Sequence, residues 1–235
     1  MSRARGWPRV PPRWFTRDTD SDYLTERRRM VENQLVPRGI ADQRVLDAMA
    51  RVPRHEFVPE SQVPYAYADR PLPLEDGQTI SQPFIVAQML EAARIGPEDR
   101  VLDVGTGSGY AAAVAAELAH RVISIERIPD LAVTAAATLE ALGYRVEVIT
   151  GDGSRGWPDA APYDAIVAAA TGPAVPQAWL DQLAPGGRIV MPVGRSGGAQ
   201  RLAVFERDAT GALHETNLGA VSFVPLLGEG AWPED

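Results

Sequence analysis

Apolar and polar positions follow two different patterns along the chain, and the change falls near residue 100. Beyond Arg100, short runs rich in β-branched residues alternate with stretches of helical period. The predicted strands are 101–104, 122–125, 146–149, 164–167 and 188–191. The predicted helices between them are 108–119, 130–142 and 176–183. This alternation predicts an α/β fold in which a mostly parallel sheet carries helices on both faces.

Before residue 97 the pattern is helical or irregular. Apolar residues at helical spacing predict helices over 23–35 and 42–50, and Pro83 is a favoured first residue for a third helix. The segment 53–80 is rich in proline, tyrosine and acids and predicts an irregular connection. We therefore expect residues 21–97 to form an N-terminal helical addition. It should be compact with a core formed by residues 98–235.

The end of the chain predicts a change of strand direction. Residues 201–206 and 221–224 have the composition of strands, and the segment 208–217 between them is rich in turn residues. A short connection of this kind joins antiparallel strands rather than parallel ones. The sequence therefore predicts an antiparallel C-terminal edge on the parallel sheet.

Composition narrows the class of protein. A chain of 235 residues is long enough for one compact unit and short for two. It contains no cysteine, which excludes disulfides and thiolate nucleophiles and fits a reducing, cytoplasmic location. The apolar runs are too short for a membrane span, and we find no secretory leader pattern. We expect a monomer that does not act on membranes.

Charge bears on possible partners. The net charge of −8 disfavours a nucleic-acid partner, because phosphate backbones are bound by basic surfaces. The exception is the arginine- and proline-rich segment 1–20, which lacks any helical or strand period. Such a composition predicts a solvated, disordered tail, with a nucleic-acid-binding arm as the alternative.

Three glycines lie where the predicted strand 101–104 meets the next helix: Gly105, Gly107 and Gly109. In an open parallel sheet, ligands bind at the carboxyl ends of the strands, and glycines let the backbone approach them closely. A dinucleotide fingerprint would need a further glycine at the position of Tyr110, and the loop lacks the lysine of a phosphate-binding loop. The run favours an adenosine cofactor that is not a dinucleotide.

Three acids follow or interrupt the predicted strands. Glu126 ends the second strand, where a carboxylate can accept both ribose hydroxyls of an adenosine; a solvated acid is the alternative. Asp103 lies within an apolar strand, so it must accept hydrogen bonds from the glycine loop or from a bound ammonium group. Asp152, next to Gly153, could accept from an adenine amino group or simply form a turn.

Several motifs together resemble one family. Residues 77–83 (Gly-Gln-Thr-Ile-Ser-Gln-Pro), the glycine loop, 151–153 and 192–194 resemble protein-L-isoaspartate O-methyltransferases over about residues 30–227. The resemblance implies a Rossmann-like class I methyltransferase that uses S-adenosyl-L-methionine. It also implies the acceptor, the free α-carboxylate of L-isoaspartyl residues in damaged proteins or peptides. The resulting ester collapses to a succinimide, which initiates repair.

The resemblance also assigns roles to residues. It implies Ser81 as the active-site residue. The resemblance implies that Gln78, Thr79, Ile80 and Ser81 bind the cofactor together with the residues at the strand ends, which are Asp103, Gly105, Gly107, Glu126, Asp152 and Gly153. An acceptor carboxylate is already ionised at pH 7, so no general base is needed and alignment becomes the main task. We therefore interpret Ser81 as a donor that orients the carboxylate; spacing alone would make it a residue near a helix cap.

One departure and two histidines complete the candidates. The family commonly has an alanine- and proline-rich turn after the fourth strand, whereas this chain has Thr171 and Gly172, which we expect to alter the substrate pocket. Nothing in the sequence orients His55 or His214, so we expect both at the surface.

Three alternatives remain beside isoaspartyl repair. One is a methyltransferase that acts on an aspartate of a dedicated peptide substrate. Another is a non-catalytic cofactor-binding module, against which the intact 77–83 segment argues. The last is a nicotinamide dehydrogenase, which Tyr110 disfavours.

Overall fold

The computed structural model describes residues 17–74, 77–195, 197–208 and 210–233, with side chains from residue 22 onward. Most of the predicted tail, residues 1–16, lies outside this part of the chain. The first described helix begins at Arg17, so it includes the last residues that were assigned to the tail.

The N-terminal addition is helical, as its pattern predicts. Its α-helices are α1 (Arg17–Met30), α2 (Gln43–Arg51) and α3 (Pro83–Ala93). A single π-helical turn, Val31–Leu35, prolongs α1 to the predicted end. The connection predicted to be irregular contains 3₁₀ turns at Arg54–Phe57 and Glu60–Tyr65, and an antiparallel pair of short strands, β1 (Leu72–Pro73) and β2 (Thr79–Ile80).

The core is an α/β unit built on one seven-stranded sheet. Its strands are β3 (Arg100–Val104), β4 (Arg121–Glu126), β5 (Val146–Thr150), β6 (Tyr163–Ala168), β7 (Leu183–Gly194), β8 (Gln200–Arg207) and β9 (Leu213–Val221). The helices are α4 (Tyr110–Ala116), α5 (Pro129–Ala141) and α6 (Gln177–Gln182). The strand order β5-β4-β3-β6-β7-β8-β9 is parallel up to β7, and β8 and β9 run antiparallel. The predicted mixed architecture is confirmed.

Two hydrophobic cores lie on opposite faces of the sheet, because successive residues of a strand point to opposite sides. Along β3, Val101 packs with the N-terminal helices and α4, whereas Leu102 and Val104 pack with α6 and its neighbouring turns. Trp179 of α6 is fully buried in this second core. Helices therefore cover both faces, and within the described residues none is long and apolar enough to cross a bilayer.

The C-terminal hairpin corrects one prediction. The segment 208–217 was expected to be a turn and 221–224 a strand. Instead, β9 spans Leu213–Val221, and the turn is confined to the first residues of the segment 208–217. The carboxylate of Asp208 tightens that turn by accepting from the amides of Thr210 and Ala212. Because β9 is an edge strand whose side chains are mostly exposed, it lacks the apolar alternation that would have revealed it.

The parallel strands place the ends of β3, β4, β5 and β6 at one edge of the sheet. The glycine loop follows β3, Glu126 ends β4, and the turn containing Asp152 follows β5. This edge is the place where an open parallel sheet binds ligands. The segment after β9 returns to the same edge, since Thr171, after β6, pairs with Pro225.

Candidate active site

The glycine loop bends sharply at the end of β3. Gly105 and Gly107 have φ angles of 89° and 53°, in the left-handed region that side-chain-bearing residues avoid. The amide of Gly105 donates to the carbonyl of Ile125 over 2.9 Å, which holds the loop over the end of β4. Both glycines line a cleft of about 720 Å³. This volume is within the range of small-molecule sites.

Glu126 shapes the loop from the neighbouring strand. Its side chain is 5% exposed, and Oε2 accepts from the amide of Gly107 at 2.9 Å. Oε1 accepts from the amide of Ile128 at 3.0 Å. Each carboxylate oxygen can accept a second hydrogen bond, so the group keeps acceptor capacity for hydroxyls in the cleft that it lines.

Asp103 lies beneath the loop and is not part of the cleft wall. Ser124 donates to its Oδ2 at 2.6 Å, and the Ser124 hydroxyl is 2.5 Å from that of Thr106, in the glycine loop. Burial raises the pKa of Asp103 to about 7, a shift that the Ser124 hydrogen bond opposes and the nearby charge of Glu126 reinforces. The sequence left two possible partners for Asp103, the glycine loop and a bound ammonium group. The structure shows the glycine loop, which Asp103 reaches through the hydroxyls of Ser124 and Thr106.

The 77–83 segment forms a second wall of the cleft. Gln78, Thr79 and Ser81 line the cleft, whereas Ile80 is buried away from it. Gln82, not Ser81, occupies the N-cap position of α3, and its side chain makes no capping bond. Ser81 therefore lies next to the cap of α3, as spacing alone predicts, and does not itself cap the helix. Within the described residues the Ser81 hydroxyl makes no hydrogen bond, which leaves it available to a ligand.

A third wall is formed by the segment that follows β9. Residues 220–227 line the same cleft as Ser81. Thr171 holds this segment by two backbone hydrogen bonds: its amide donates to Val224 (2.8 Å) and its carbonyl accepts from Leu226 (2.7 Å). Thr171 itself is fully buried and does not line the cleft, contrary to the expectation that its hydroxyl would alter the pocket.

Asp152 does not line the cleft, whereas its neighbour Gly153 does. The carboxylate accepts from the amide of Ser154 at 2.9 Å, its hydroxyl at 2.6 Å, and the amide of Glu229 at 2.9 Å. The side chain thus forms the turn that was one of its two predicted roles. A Cβ at Gly153 would lie 2.5 Å from a methyl carbon of Val104, so only glycine fits there.

The two histidines differ. His214 is exposed and pairs with Asp208, as expected for a surface residue. His55 is not: its side chain is 10% exposed, stacks on Tyr23 with ring centres 3.9 Å apart, and bonds the Tyr67 hydroxyl at 2.6 Å. These aromatic neighbours come from separate segments, so the sequence could not reveal them. Neither histidine lines the cleft.

The cleft fits an adenosine-type cofactor by its own features. Backbone without side chains at Gly105, Gly107 and Gly153 leaves room for a ligand, and Glu126 offers acceptor oxygens beside it. Sequence reasoning had not placed Arg127, Ile128 or Ala169 in the site, although they line it. They follow the strand ends directly, and that position is the signal that could have indicated them.

Comparison with known proteins decides the family. The family model described as protein-L-isoaspartate(D-aspartate) O-methyltransferase (PCMT) matches residues 25–231. The chain belongs to this family. Residues 25–231 include every wall of the cleft.

Curated relatives agree over nearly their full length. The chain is 56% identical to protein-L-isoaspartate O-methyltransferase 2 of Marinobacter nauticus over 213 residues, which cover 90% of this chain and 97% of the relative. It is 55% identical to protein-L-isoaspartate O-methyltransferase 1 of Syntrophobacter fumaroxidans, with 90% and 98% covered. Family membership thus applies to the described unit as a whole.

Solved structures agree on the fold. One protein-L-isoaspartate O-methyltransferase superposes with a TM-score of 0.78 at 29% identity, covering 87% of this chain and 67% of its own. A candidate member from Plasmodium falciparum, in complex with S-adenosyl-L-homocysteine, gives 0.72 at 25% identity, covering 86% and 98%. The chain is a class I methyltransferase that uses S-adenosyl-L-methionine, and its activity is the O-methylation of isoaspartyl residues.

Proposed function

We propose that the cleft divides the work of this family's reaction between its walls. The glycine loop, Glu126 and Gly153 hold the adenosyl part of S-adenosyl-L-methionine, while Ser81 orients the α-carboxylate of an L-isoaspartyl residue. The observation that supports this division is that Ser81 and the glycine loop face one cleft of about 720 Å³. Damaged proteins and peptides are then the partners, and the ester that forms begins their repair through a succinimide.

The chemistry asks for positioning rather than proton transfer. When bound, S-adenosyl-L-methionine supplies the electrophilic methyl group that the acceptor carboxylate takes. A carboxylate is ionised at pH 7, so the chain need not remove a proton from it. Ser81 donates a hydrogen bond that fixes the carboxylate, and residues 220–227 form a further wall of the cleft. Orientation of this kind contributes roughly 7–11 kcal/mol in favourable intramolecular cases.

The roles of Gln78 and Thr79 are proposed as contacts to the cofactor, since both line the cleft beside Ser81. Ile80, Asp103 and Asp152 are proposed to act indirectly. Ile80 anchors its strand in the core, and Asp103 supports the loop through Ser124. Asp152 remains a candidate acceptor for the adenine amino group, because its oxygens can accept further hydrogen bonds.

The cellular setting and the lack of a nucleic-acid partner are also proposals. The absence of cysteine supports a reducing, cytoplasmic compartment, and the net charge of −8 argues against nucleic acid as a partner. Cell fractionation and a nucleic-acid binding assay at physiological salt would test these two expectations.

Matched peptides that carry isoaspartate or aspartate at one position test the substrate. With methyl-labelled S-adenosyl-L-methionine, we expect base-labile label on the isoaspartyl peptide alone. Label on the aspartyl peptide instead would favour action on a dedicated aspartyl substrate, and no label on either would contradict repair.

Two substitutions test the division of work. Ser81→Ala should lower kcat/KM for the isoaspartyl peptide by about tenfold or more, the loss of one hydrogen bond to a charged group, and leave the Kd of S-adenosyl-L-homocysteine within about twofold. Glu126→Gln should instead raise that Kd by about tenfold. Calorimetry gives the Kd, and peptide methylation gives kcat/KM.

The controls are an exposed serine and an exposed acid outside the cleft. Ser61→Ala and Glu147→Gln should leave both quantities within about twofold of the unsubstituted protein. A reversed pattern, in which Ser81→Ala weakens cofactor binding and Glu126→Gln slows only peptide turnover, would overturn the assignment.

A further inference from the structure

Arg54 is a fully buried arginine that lies directly behind the acceptor wall of the cleft. It begins the 3₁₀ turn Arg54–Phe57. Its Nε donates to the carbonyl of Ala66 at 2.7 Å, and its Nη2 donates to the carbonyl of Ser81 at 2.8 Å. One side chain thus joins two segments that are distant in sequence, and one of them carries the proposed acceptor-binding hydroxyl.

Among the described residues, the charge of Arg54 has no carboxylate partner. None of the ion pairs between described residues includes it, and its third group, Nη1, is buried without a hydrogen-bond partner. The guanidinium carbon lies 4.8 Å from the centre of the Tyr110 ring, within the range of a cation–π contact. Burial lowers the pKa of Arg54 to about 10, so the group stays charged at pH 7.

Burying a cation of this kind carries a desolvation penalty. An apolar side chain could fill the same space without that penalty. What an apolar residue cannot supply is a rigid, planar pair of donors. Lysine, with a single compact ammonium, cannot reproduce the fork that reaches two carbonyls at once. The cost therefore points to a geometric role at Ser81.

The same side chain also contacts the helix that follows the glycine loop. Tyr110 is the first residue of α4 and directly follows the glycine loop. Phe57, at the other end of the 3₁₀ turn, meets the Tyr110 ring edge-on with centres 5.7 Å apart. The turn Arg54–Phe57 therefore contacts the start of α4 with two side chains while it holds the carbonyl of Ser81.

We propose that Arg54 is a positioning residue, which holds the backbone of Ser81 in register with the glycine loop so that the acceptor carboxylate faces the cofactor. The inference rests on the proposed role of Ser81. Arg54 lies outside the cleft wall and acts through Ser81, without touching the reacting groups.

Arg188 offers a matched control. It is a second buried arginine, 8% exposed, which donates to the carbonyl of Ala92 at 3.2 Å and pairs with Glu206 at 2.5 Å. It does not line the cleft. Lysine and methionine substitutions at both arginines compare the loss of a buried guanidinium behind Ser81 with the same loss elsewhere in the fold.

Three measurements on the full chain carry the test. We expect Arg54→Lys and Arg54→Met to lower kcat/KM for the isoaspartyl peptide by about tenfold or more, with the Kd of S-adenosyl-L-homocysteine within about threefold. Amide hydrogen exchange should accelerate in residues 79–82. The Arg188 variants should lose thermal stability without either change.

Chemical rescue separates position from general stability. Arg54→Ala leaves a gap of the size of the missing group, so added guanidinium ion should restore part of the lost kcat/KM, whereas it should not help Arg188→Ala. If Arg54→Ala does not fold, the exchange rates of Arg54→Lys decide the question.

The outcomes are distinguishable. Normal kcat/KM and exchange in the Arg54 variants would overturn the inference, and so would equal losses in Arg188 variants of the same thermal stability. An unsubstituted protein that fails to methylate the isoaspartyl peptide would contradict the proposed function instead. Hydrogen exchange at residues 79–82 would then still show whether Arg54 positions Ser81.

Discussion

At the residue scale, Asp103 shows how burial favours the neutral form of a carboxyl and leaves it with a structural role. The carboxyl is 3% exposed, and its described hydrogen bond comes from Ser124 rather than from a cation. Because burial raises its pKa to about 7, it holds a proton well above the pH at which an exposed aspartate loses one. A carboxyl that is protonated, or that accepts a hydrogen bond from Ser124, is compatible with an apolar strand. This explains how Asp103 occurs within β3.

The raised pKa predicts a pH dependence of stability. The folded state binds a proton at Asp103 that the unfolded state has released above pH ~4, so the free energy of unfolding should fall as pH rises from about 4 to about 7 and then level off. Asp103→Asn replaces the titrating carboxyl with an amide that does not titrate. The stability of the unsubstituted protein minus that of Asp103→Asn, from urea denaturation, should therefore decrease over this window by up to ~4 kcal/mol.

Asp208 provides a control of opposite sign. Hydrogen bonds from Thr210 and His214 lower the pKa of this exposed carboxyl, so its stabilising effect is present at neutral pH and is lost on acidification. The corresponding difference for Asp208→Asn should grow as pH rises from the acid side. A pH-independent difference for Asp103→Asn would show that its carboxyl is not protonated in the folded protein.

At the scale of elements, the segment after β9 connects both ends of the cleft. Residues 220–227 line it together with Ser81, and the following turn caps Asp152, where the amide of Glu229 donates to Oδ2 and that of Gly230 donates to Ser154. One stretch of backbone therefore contacts the acceptor side and the side proposed for adenine. Backbone hydrogen bonds set the position of this segment, so the pattern of side chains in the sequence does not indicate it.

A proline at position 229 tests this connection, because it removes the amide that donates to Asp152. We expect Glu229→Pro to raise the Kd of S-adenosyl-L-homocysteine by about threefold to tenfold in calorimetry. Glu229→Ala is the matched control: it also loses the 3.5 Å contact with Arg155 but keeps the amide, and should bind normally. Equal binding by both variants would mean that the turn does not support the cofactor end.

The elements also show where sequence patterns succeed and fail. The buried strands β3, β4 and β6 were predicted within about a residue or two, because a strand covered on both faces reads as a continuous apolar run. β9 was misplaced, since its exposed side chains carry no such signal. The pair β1–β2 was missed altogether, because two residues a side are too few to show a period.

At the scale of the whole molecule, the sheet ends in two open edges, β5 and β9. β9 exposes Glu215, and a charged side chain on an edge discourages pairing with another chain. The exposed large apolar residues of the described chain belong to separate elements: Leu24, Val36, Tyr65, Val133, Leu213 and Val224. On these two features we propose that the protein is a monomer.

The mass in solution tests this expectation. Sedimentation equilibrium over a wide range of concentrations should give a mass near the 25.4 kDa of one chain. A mass that rises toward twice this value with concentration would contradict it, and a charge substitution at Glu215 would then show whether the β9 edge is the contact.

The sequence by itself determined the alternation of strands and helices, the glycine loop, the acid after the second strand and the resemblance that named the acceptor. These patterns are local, because the backbone preference of a residue and its burial within a strand depend on its neighbours in the chain. Tertiary structure alone decided that Ile80 turns away from the cleft, that Asp152 is capped by Glu229, and that Arg54 bonds the carbonyl of Ser81. Those contacts join segments that lie far apart in sequence, and no periodicity records them.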